Sequence, residues 1–218
     1  MTEIKAIVTA GGSSSRFGGT NKLLCSLRGK PVIQYSVDLF TEMGFEIIIP
    51  AHKSAIYDYE KLFENYSNVK ITEGGNTRQN SIKKALDIIS GCSLVIIHDA
   101  ARPLIKKEVV LKCIDDAKKY GAAIAAVKTV DTIKEVSENR KIIKSLNREN
   151  LINVQTPQVF DFIKIKELHQ KYSDKAFTDD SLLFETAGKN VYFTESSYSN
   201  IKITTNVDLK LAELLLEQ

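Results

Sequence analysis

The sequence has 218 residues, of which 43% are hydrophobic and 26% are charged, which is enough apolar material for one sizeable core. We therefore expect a soluble globular chain with a single domain over residues 1–218. The 30 Lys and Arg residues exceed the 27 Asp and Glu residues, and a net charge of +3 is too small for a general nucleic-acid binder, although it suits small anionic substrates.

Cysteine usage and hydropathy exclude further classes of protein. Cys25, Cys92 and Cys113 form no CxxC or Cys/His pattern, so the sequence predicts neither disulfide bonds nor structural zinc. Cys25 lies near a glycine-rich loop, but a small buried thiol is a commoner state than a nucleophile. No apolar run reaches the roughly 20 residues of a membrane span, and no signal segment precedes the first predicted strand. We expect no membrane partner and a cytoplasmic protein.

Short apolar runs alternate with helical patterns over most of the chain. Several runs are apolar without alternation, which is typical of buried parallel strands. Pro31 stands near a predicted first helical turn, and Gly44 and Gly121 stand where helices should end. The order predicts an α/β fold with a doubly wound, mostly parallel sheet, whose ligands bind at the carboxyl ends of strands. The predicted strands are 4–8, 45–49, 69–71, 94–98 and 122–127, and the predicted helices are 32–43, 54–66, 78–90, 107–120 and 161–171.

The segment 131–155 interrupts this alternation because it is polar, β-prone and rich in turn residues. It predicts a β-hairpin arm that protrudes from the domain, with no helix. Such an arm is too small to hold a core of its own and needs a surface to pack on. A second subunit is the usual surface, so we expect a homodimer. The alternative is a hairpin that lies on its own domain.

The first predicted strand runs directly into the loop TAGGSSSRFG (9–18), and Lys22 follows. The glycines allow backbone N–H groups of Ala10, Gly11 and Gly12 to approach an anion, and Arg16 and Lys22 add positive charge. The loop matches neither GxxxxGK[ST] nor GxGxxG. It predicts a polyphosphate-binding loop, whereas a plain glycine-rich surface turn would not need two cations at its rim.

The sequence HDAARP (98–103) follows a buried predicted strand and places Asp99 at its carboxyl end. A carboxylate at that position is suited to hold Mg²⁺ that bridges to phosphate oxygens. Alternatively, Asp99 caps the following turn and Arg102 pairs with it. We interpret His98 as a structural residue.

The remaining polar motifs are individually weaker. GGNTRQNS (74–81) stands between a strand and a helix, and its backbone groups and Ser81 hydroxyl can bind the edge of a base, although an ordinary turn has the same pattern. Arg148, QTPQ (155–158), TDDS (178–181) and NIKITT (200–205) add cations and hydroxyls in segments flanked by core residues. Each segment alone could be surface, but together they supply a second anion site, as a reaction that joins two phosphates requires.

These motifs, in this order, resemble one family over nearly the whole chain: the 2-C-methyl-D-erythritol 4-phosphate cytidylyltransferases of isoprenoid biosynthesis. The motifs that carry the resemblance are GGSSSRFG, Asn21-Lys22-Leu23, GGNTRQNS, HDAARP, Asp131-Thr132 with Lys134, QTPQ, TDDS and NIKITT. The resemblance implies a Rossmann-like nucleotidyltransferase fold and a homodimer formed through the β-arm. It also implies transfer of CMP from CTP to methylerythritol phosphate with release of pyrophosphate.

The resemblance also implies roles for individual residues. The implied catalytic residues are Arg16, Lys22, Arg148 and Lys202, and Asp99 would hold Mg²⁺ or another divalent cation. Thr132 and Arg148 would reach the acceptor site of the neighbouring subunit. Some members carry an acidic residue where Ser199 stands, and some carry Asp where Asn76 stands. The implied substrate-binding residues are Ala10, Gly11, Gly12, Gly75, Asn76, Ser81, Ala100, Arg102, Thr132 and Thr156.

Three other functions are compatible with parts of this pattern. Ribitol 5-phosphate cytidylyltransferases share the loop, HDA and QTPQ, but tend to have HDAVRP and a different sequence at TDDS. A non-catalytic nucleotide-binding regulator would not need Arg16, Lys22 and Asp99 matched to a transition state. A dinucleotide-dependent oxidoreductase is disfavoured by the missing GxGxxG.

Overall fold

The computed structural model describes residues 3–10, 17 and 21–217. Among these residues, seven strands form one sheet in the order β11-β7-β10-β6-β1-β4-β5. All strands of this sheet run in one direction except β10, which is antiparallel to both β6 and β7. The seven strands are β1 (Ile4–Thr9), β4 (Glu46–Ala51), β5 (Val69–Glu73), β6 (Leu94–Asp99), β7 (Ala122–Lys128), β10 (Ile152–Asp161) and β11 (Tyr192–Glu195).

Helices cover both faces of the sheet, and a buried apolar cluster lies on each face. Residues of β6 are buried along their whole length, which explains why this strand is apolar without alternation. The predicted mostly parallel, doubly wound α/β sheet is therefore confirmed. The helices are α1 (Val32–Glu42), α2 (Ile56–Leu62), α3 (Arg78–Ile88), α4 (Lys107–Tyr120), α5 (Phe162–Lys171), α6 (Ser181–Thr186) and α7 (Asn206–Leu215).

Local sequence signals explain some of the helix ends. Gly121 adopts a left-handed conformation with φ of 87° and caps the end of α4. The prediction for 54–66 was too long, because 53–55 form a separate 3-10 turn and α2 ends at Leu62. None of the helices in the described ranges is long and apolar enough to cross a membrane.

The arm is present as a separate two-stranded antiparallel sheet of β8 (Lys134–Val136) and β9 (Ile142–Ser145). A 3-10 turn over Arg148–Asn150 follows it. One boundary differs: residues 152–155 belong to β10, and residues 152–154 pair with β7. Residues 146–155 across this boundary (LNRENLINVQ) mix polar and apolar types throughout, so they contain no local signal that separates the arm from the sheet. A short hairpin of β2 (Ser26–Leu27) and β3 (Lys30–Pro31) precedes α1.

Candidate active site

A cleft of about 270 Å³ lies at the carboxyl ends of β1 and β6. Parallel strands end at the same edge of a sheet, and Thr9 and Asp99 are partners in register there. The Thr9 hydroxyl donates a hydrogen bond to Asp99 Oδ1 at 3.3 Å. The cleft is lined by Thr9, Lys22, Leu23, Asn76, Thr77, Arg78, Ser81, Asp99, Ala101 and Lys202.

Three cations surround the carboxylate of Asp99. Lys202 Nζ lies 2.6 Å from Oδ2, Arg78 Nε lies 3.4 Å from Oδ1, and Arg102 Nε lies 4.0 Å from Oδ2. Burial alone would raise the pKa of Asp99, but Arg78, Lys202 and Arg102 outweigh it and hold this pKa well below its usual range. Asp99 is therefore an ionised carboxylate at neutral pH, inside a positively charged site that suits phosphates.

The backbone around Asp99 is fixed by β10. The Thr156 hydroxyl accepts a hydrogen bond from the Asp99 N–H at 3.0 Å and lies 3.1 Å from His98 Nδ1. Burial lowers the pKa of His98 to about 4, so its ring is neutral, and its Nε2 lies 3.1 Å from the Arg102 carbonyl. With Nε2 as the donor, Nδ1 accepts the Thr156 proton. His98 thus holds the turn after β6, in agreement with its interpretation as a structural residue.

Lys202 reaches the cleft because Asn200 fixes the segment before it. The buried Asn200 amide donates to Gln155 Oε1 and to the Thr156 carbonyl, both at 2.9 Å. The Asn200 carbonyl accepts a hydrogen bond from Arg102 Nη1 at 2.7 Å. The NIK segment is thereby tied both to β10 and to the turn that follows Asp99.

Lys22 also lines the cleft, on a turn fixed by Asn21. The Asn21 side chain caps this turn, because its Oδ1 accepts from the Leu23 N–H at 3.2 Å. Its Nδ2 donates to the hydroxyl of the buried Tyr59 at 3.0 Å. Burial raises the pKa of Tyr59 to about 12, so the phenol remains protonated. Burial also raises the pKa of the Cys25 thiol, which disfavours a thiolate nucleophile beside this turn.

The loop between β5 and α3 is organised by Ser81. Its hydroxyl accepts from the Gly75 N–H at 2.9 Å and donates to the Thr77 carbonyl at 2.9 Å. A Cβ atom on Gly75 would lie 2.4 Å from the Asn80 Cβ, so this close approach requires glycine. The Ser81 proton is engaged within the loop, and one lone pair of the hydroxyl oxygen remains for an external donor.

Comparison with known proteins assigns the family. The family model described as 2-C-methyl-D-erythritol 4-phosphate cytidylyltransferase matches residues 4–218. The chain belongs to this family. It is a nucleotidyltransferase that transfers CMP from CTP to methylerythritol phosphate in isoprenoid precursor biosynthesis. The resemblance on which the sequence analysis depended is confirmed, and the oxidoreductase alternative is excluded.

Individual relatives align over almost the full length. The cytidylyltransferase of Clostridium botulinum (strain Eklund 17B / Type B) is 37% identical over 99% of this chain and 100% of its own length. The cytidylyltransferase of Clostridium tetani is 41% identical over 95% of this chain and 88% of its own. The crystal structure of 4-diphosphocytidyl-2C-methyl-D-erythritol synthase from Anaerococcus prevotii superposes with a TM-score of 0.90 at 32% identity, covering 100% of this chain and 99% of that chain.

The structure brings many of the residues expected for this family together. Lys22, Asn76, Ser81, Asp99 and Lys202 all line the cleft. Arg102 and Thr156 lie directly beside Asp99 but make their hydrogen bonds within the protein. Ala10 is buried, and its backbone pairs with Ala51 of β4. Ala100 is buried, and its N–H donates to the Thr9 carbonyl at 3.2 Å. Gly75 lines a neighbouring pocket with Asn76 and Lys84.

Among the described residues, not every residue expected for this site lines the cleft. Thr132 and Arg148 are exposed, stand before and after the β8–β9 hairpin in the chain, and do not line the cleft of their own chain. Arg148 Nη1 donates to the Val130 carbonyl at 3.1 Å. Gly11, Gly12 and Arg16 lie outside the described residues. Ser199 lies 2.8 Å from Ser197, hydroxyl oxygen to hydroxyl oxygen, and does not line the cleft in the part of the chain that the structure describes.

Sequence reasoning missed Arg78, the first residue of α3. A cation in the first turn of a helix is unfavourable beside the positive end of the helix dipole, so its presence there was a signal that a carboxylate compensates it. TDDS was expected to add to an anion site. In the structure, Asp179 accepts a hydrogen bond from the Leu182 N–H in the first turn of α6, and Asp180 pairs with Arg78.

Proposed function

We propose that the cleft between Lys22 and Lys202 is where the α-phosphate of CTP meets the phosphate of the acceptor. The observation that supports this most directly is the ionised Asp99, which lies at the end of β6 among the Lys202, Arg78 and Arg102 side chains. An oxygen of the acceptor phosphate attacks the α-phosphorus in line. The bond from that phosphorus to the bridging oxygen breaks, and pyrophosphate leaves. The attacking phosphate already carries negative charge, so the site needs no general base.

Both Lys22 and Lys202 line the cleft, and in this proposal they together neutralise the two phosphate groups. Arg16 supplies further charge from the glycine-rich loop. Donors that are already aimed at developing charge stabilise a transition state because they need no rearrangement during reaction. The Tyr59–Asn21 hydrogen bond and the Asn200 hydrogen bonds provide that fixed geometry for the two lysines.

The residues that line the cleft suit a Mg²⁺ ion that is held by a single carboxylate. Asp99 is the only carboxylate among the described residues that line the cleft. Mg²⁺ is commonly held by one or two carboxylates, with phosphate oxygens and waters as the other ligands, so a lone Asp99 fits when CTP is bound. When bound, the metal would neutralise triphosphate charge. Lys202 occupies Oδ2 here, and its side chain is 42% exposed, so it has room to withdraw from this oxygen.

We assign cytosine recognition to the loop that contains Gly75, Asn76 and Ser81. The cytosine amino group donates where uracil has an acceptor. The remaining lone pair of Ser81 Oγ and the backbone carbonyls of this loop are acceptors, so they favour cytosine. Uracil would leave acceptors facing each other, and such a mismatch at a buried site is costly.

We propose that the acceptor site is completed by the arm of a second subunit. The arm exposes the apolar side chains of Val136, Ile142 and Ile143, each more than half exposed in the single chain. Thr132 and Arg148 flank this hairpin in the chain and do not line their own cleft. A homodimer would cover the apolar residues and bring the two polar residues to the partner's acceptor.

Three unpaired cysteines agree with a reducing compartment, and we propose the cytoplasm.

The test is release of pyrophosphate from CTP, measured with methylerythritol phosphate, with ribitol 5-phosphate and with no acceptor. We expect release with methylerythritol phosphate only, and its loss in Asp99→Asn. Release that is unaffected by Asp99→Asn would overturn the assignment of the cleft. Equal release with ribitol 5-phosphate would overturn the acceptor assignment.

A further inference from the structure

A continuous series of charged and polar groups extends from Asp99 to the buried side chain of His169. Arg78 Nε lies 3.4 Å from Asp99 Oδ1, and Arg78 Nη1 lies 2.6 Å from Asp180 Oδ2. Asp180 Oδ1 lies 3.0 Å from His169 Nε2. These contacts join the end of β6, the start of α3, the start of α6 and the last turn of α5, so the series crosses four elements that are distant in sequence.

Asp180 and His169 are both buried, so the contacts between them matter for stability. Their side chains are 2% and 1% exposed. A buried carboxylate is costly unless it is paired and hydrogen-bonded, so Asp180 requires its two side-chain partners. The Asp180 backbone N–H also donates to Oε1 of Gln158 at 3.2 Å, and this hydrogen bond holds Asp180 beside β10. In the described part of the chain, His169 Nδ1 is buried with no hydrogen-bond partner, so the only polar contact of the ring is with Asp180.

Arg78 is suited to connect two carboxylates. A planar guanidinium presents several N–H groups in fixed directions, whereas an ammonium is a single point charge. Here Nη1 is directed to Asp180 and Nε to Asp99. Because Arg78 stands at the start of α3, the helix dipole disfavours its charge, and Asp180 offsets that cost while fixing the side chain's direction.

We propose that Asp180 and His169 are positioning residues for CMP transfer. They hold the Arg78 guanidinium against Oδ1 of Asp99, so that Oδ2 is the oxygen presented to Lys202. Neither residue lines the cleft, so both act through Arg78. This inference rests on the proposed role of Asp99. A plain structural role would affect stability and leave turnover of the folded enzyme unchanged.

The test compares four variants under conditions in which each remains folded by circular dichroism. Asp180→Asn keeps the shape of the side chain and removes its charge. His169→Leu removes the donor to Asp180, whereas His169→Gln keeps an amide donor close to the position of Nε2. Asp116→Asn is the matched control, because Asp116 is a partly buried carboxylate that accepts from Thr194 at 2.6 Å, outside this series.

We expect kcat to fall about 10- to 100-fold in Asp180→Asn and His169→Leu, with KM for CTP changed less, since a displaced reacting geometry affects the chemical step most. His169→Gln should restore most of kcat, and Asp116→Asn should match the unmodified enzyme. Folded Asp180→Asn or His169→Leu with unchanged kcat would overturn the inference. A loss in both His169 variants that matches their loss of stability would overturn it as well.

A double-mutant cycle separates this inference from the proposed function. Asp180→Asn is introduced into the Asp99→Asn background, and product is followed in single turnovers at high enzyme concentration. If Asp180 acts through Asp99, its effect should largely disappear there. An undiminished effect in that background would contradict positioning through Asp99. Full activity of Asp99→Asn alone would instead overturn the proposed role of Asp99.

Discussion

Lys202 Nζ lies 2.6 Å from Asp99 Oδ2, although 103 positions separate the two residues in the chain. This contact places a partly exposed cation against a carboxylate that is itself almost buried. In the proposed function, a phosphate that entered the cleft would compete with Asp99 for Lys202, so the lysine would pass from the carboxylate to the substrate over a short distance. The contact between Lys202 and Asp99 would therefore be replaced by a contact between Lys202 and phosphate when substrate binds.

Removal of either lysine should slow the chemical step. We expect Lys22→Ala and Lys202→Ala each to lower kcat by about 10²-fold or more at saturating CTP, because preorganised cations contribute about 3 to 4 kcal/mol to a transition state. Arg16→Ala should behave in the same way. The control is Lys118→Ala on α4, whose ammonium pairs with Asp115. Near-normal kcat in any of the three site variants would remove that residue from the proposed machinery.

The loop after β5 should discriminate between nucleotides. We expect a higher kcat/KM for CTP than for UTP, and a higher KM for CTP in Ser81→Ala, because loss of the hydroxyl leaves the Gly75 N–H without its acceptor. Steady-state kinetics with both nucleotides measure this. Comparable values of kcat/KM for CTP and UTP in the unmodified enzyme would show that this loop does not recognise the base.

The Tyr59 hydroxyl should affect catalysis although it lies behind the site. We expect Tyr59→Phe to lower kcat/KM about 3- to 10-fold, since one hydrogen bond of about 1 kcal/mol no longer fixes Asn21 and the Lys22 turn. Tyr66→Phe is the control, because the Tyr66 hydroxyl donates to Asp38 at 2.7 Å instead. The prediction fails if both variants show the same kinetics.

Mixed dimers test whether the arm completes the partner's site. Equal amounts of Arg148→Ala and Lys22→Ala chains, allowed to exchange subunits, should regain about a quarter of normal activity, because about half of the dimers are mixed and one of their two sites has no lesion. A mixture of Lys22→Ala and Lys202→Ala should not recover, since both residues line the cleft of the same chain. Without recovery in the first mixture, despite demonstrated exchange, Arg148 does not act across the dimer.

The ion pair between Asp180 and Arg78 should make the free energy of unfolding depend on pH in the acid range. Burial would raise the pKa of Asp180, but Arg78 and His169 lower it overall, so the native state binds its proton less readily than the unfolded chain. The resulting stability is present above the unfolded pKa of about 3.9 and is lost as pH falls towards the folded pKa. We expect Asp180→Asn to cost about 3 kcal/mol near pH 7. Urea unfolding from pH 7 to pH 3 should show this difference narrowing, and a constant difference would argue against the ion pair.

The arm and the strand order show where local sequence stops being informative. The apolar runs predicted β1, β4, β5, β6 and β7 because burial on both faces leaves a pattern within each strand. The same reasoning predicted neither β10 nor β11, since their residues mix polar and apolar types. The strand β10 inserts antiparallel between β6 and β7. This position depends on the path of the whole chain, and the hydrophobic pattern within a strand does not predict it.

By itself, the sequence determined that Asp99 ends a buried strand and that Lys22 follows a glycine-rich loop, because both facts are matters of spacing along the chain. Its ordered motifs also determined the family. Only the tertiary structure decided what surrounds Asp99. Thr156 holds its backbone through the antiparallel β10, and Arg78 joins it to Asp180, which is 102 positions away from Arg78. Such pairings depend on which strands and helices become neighbours, and that is set by packing of the whole core rather than by any local pattern.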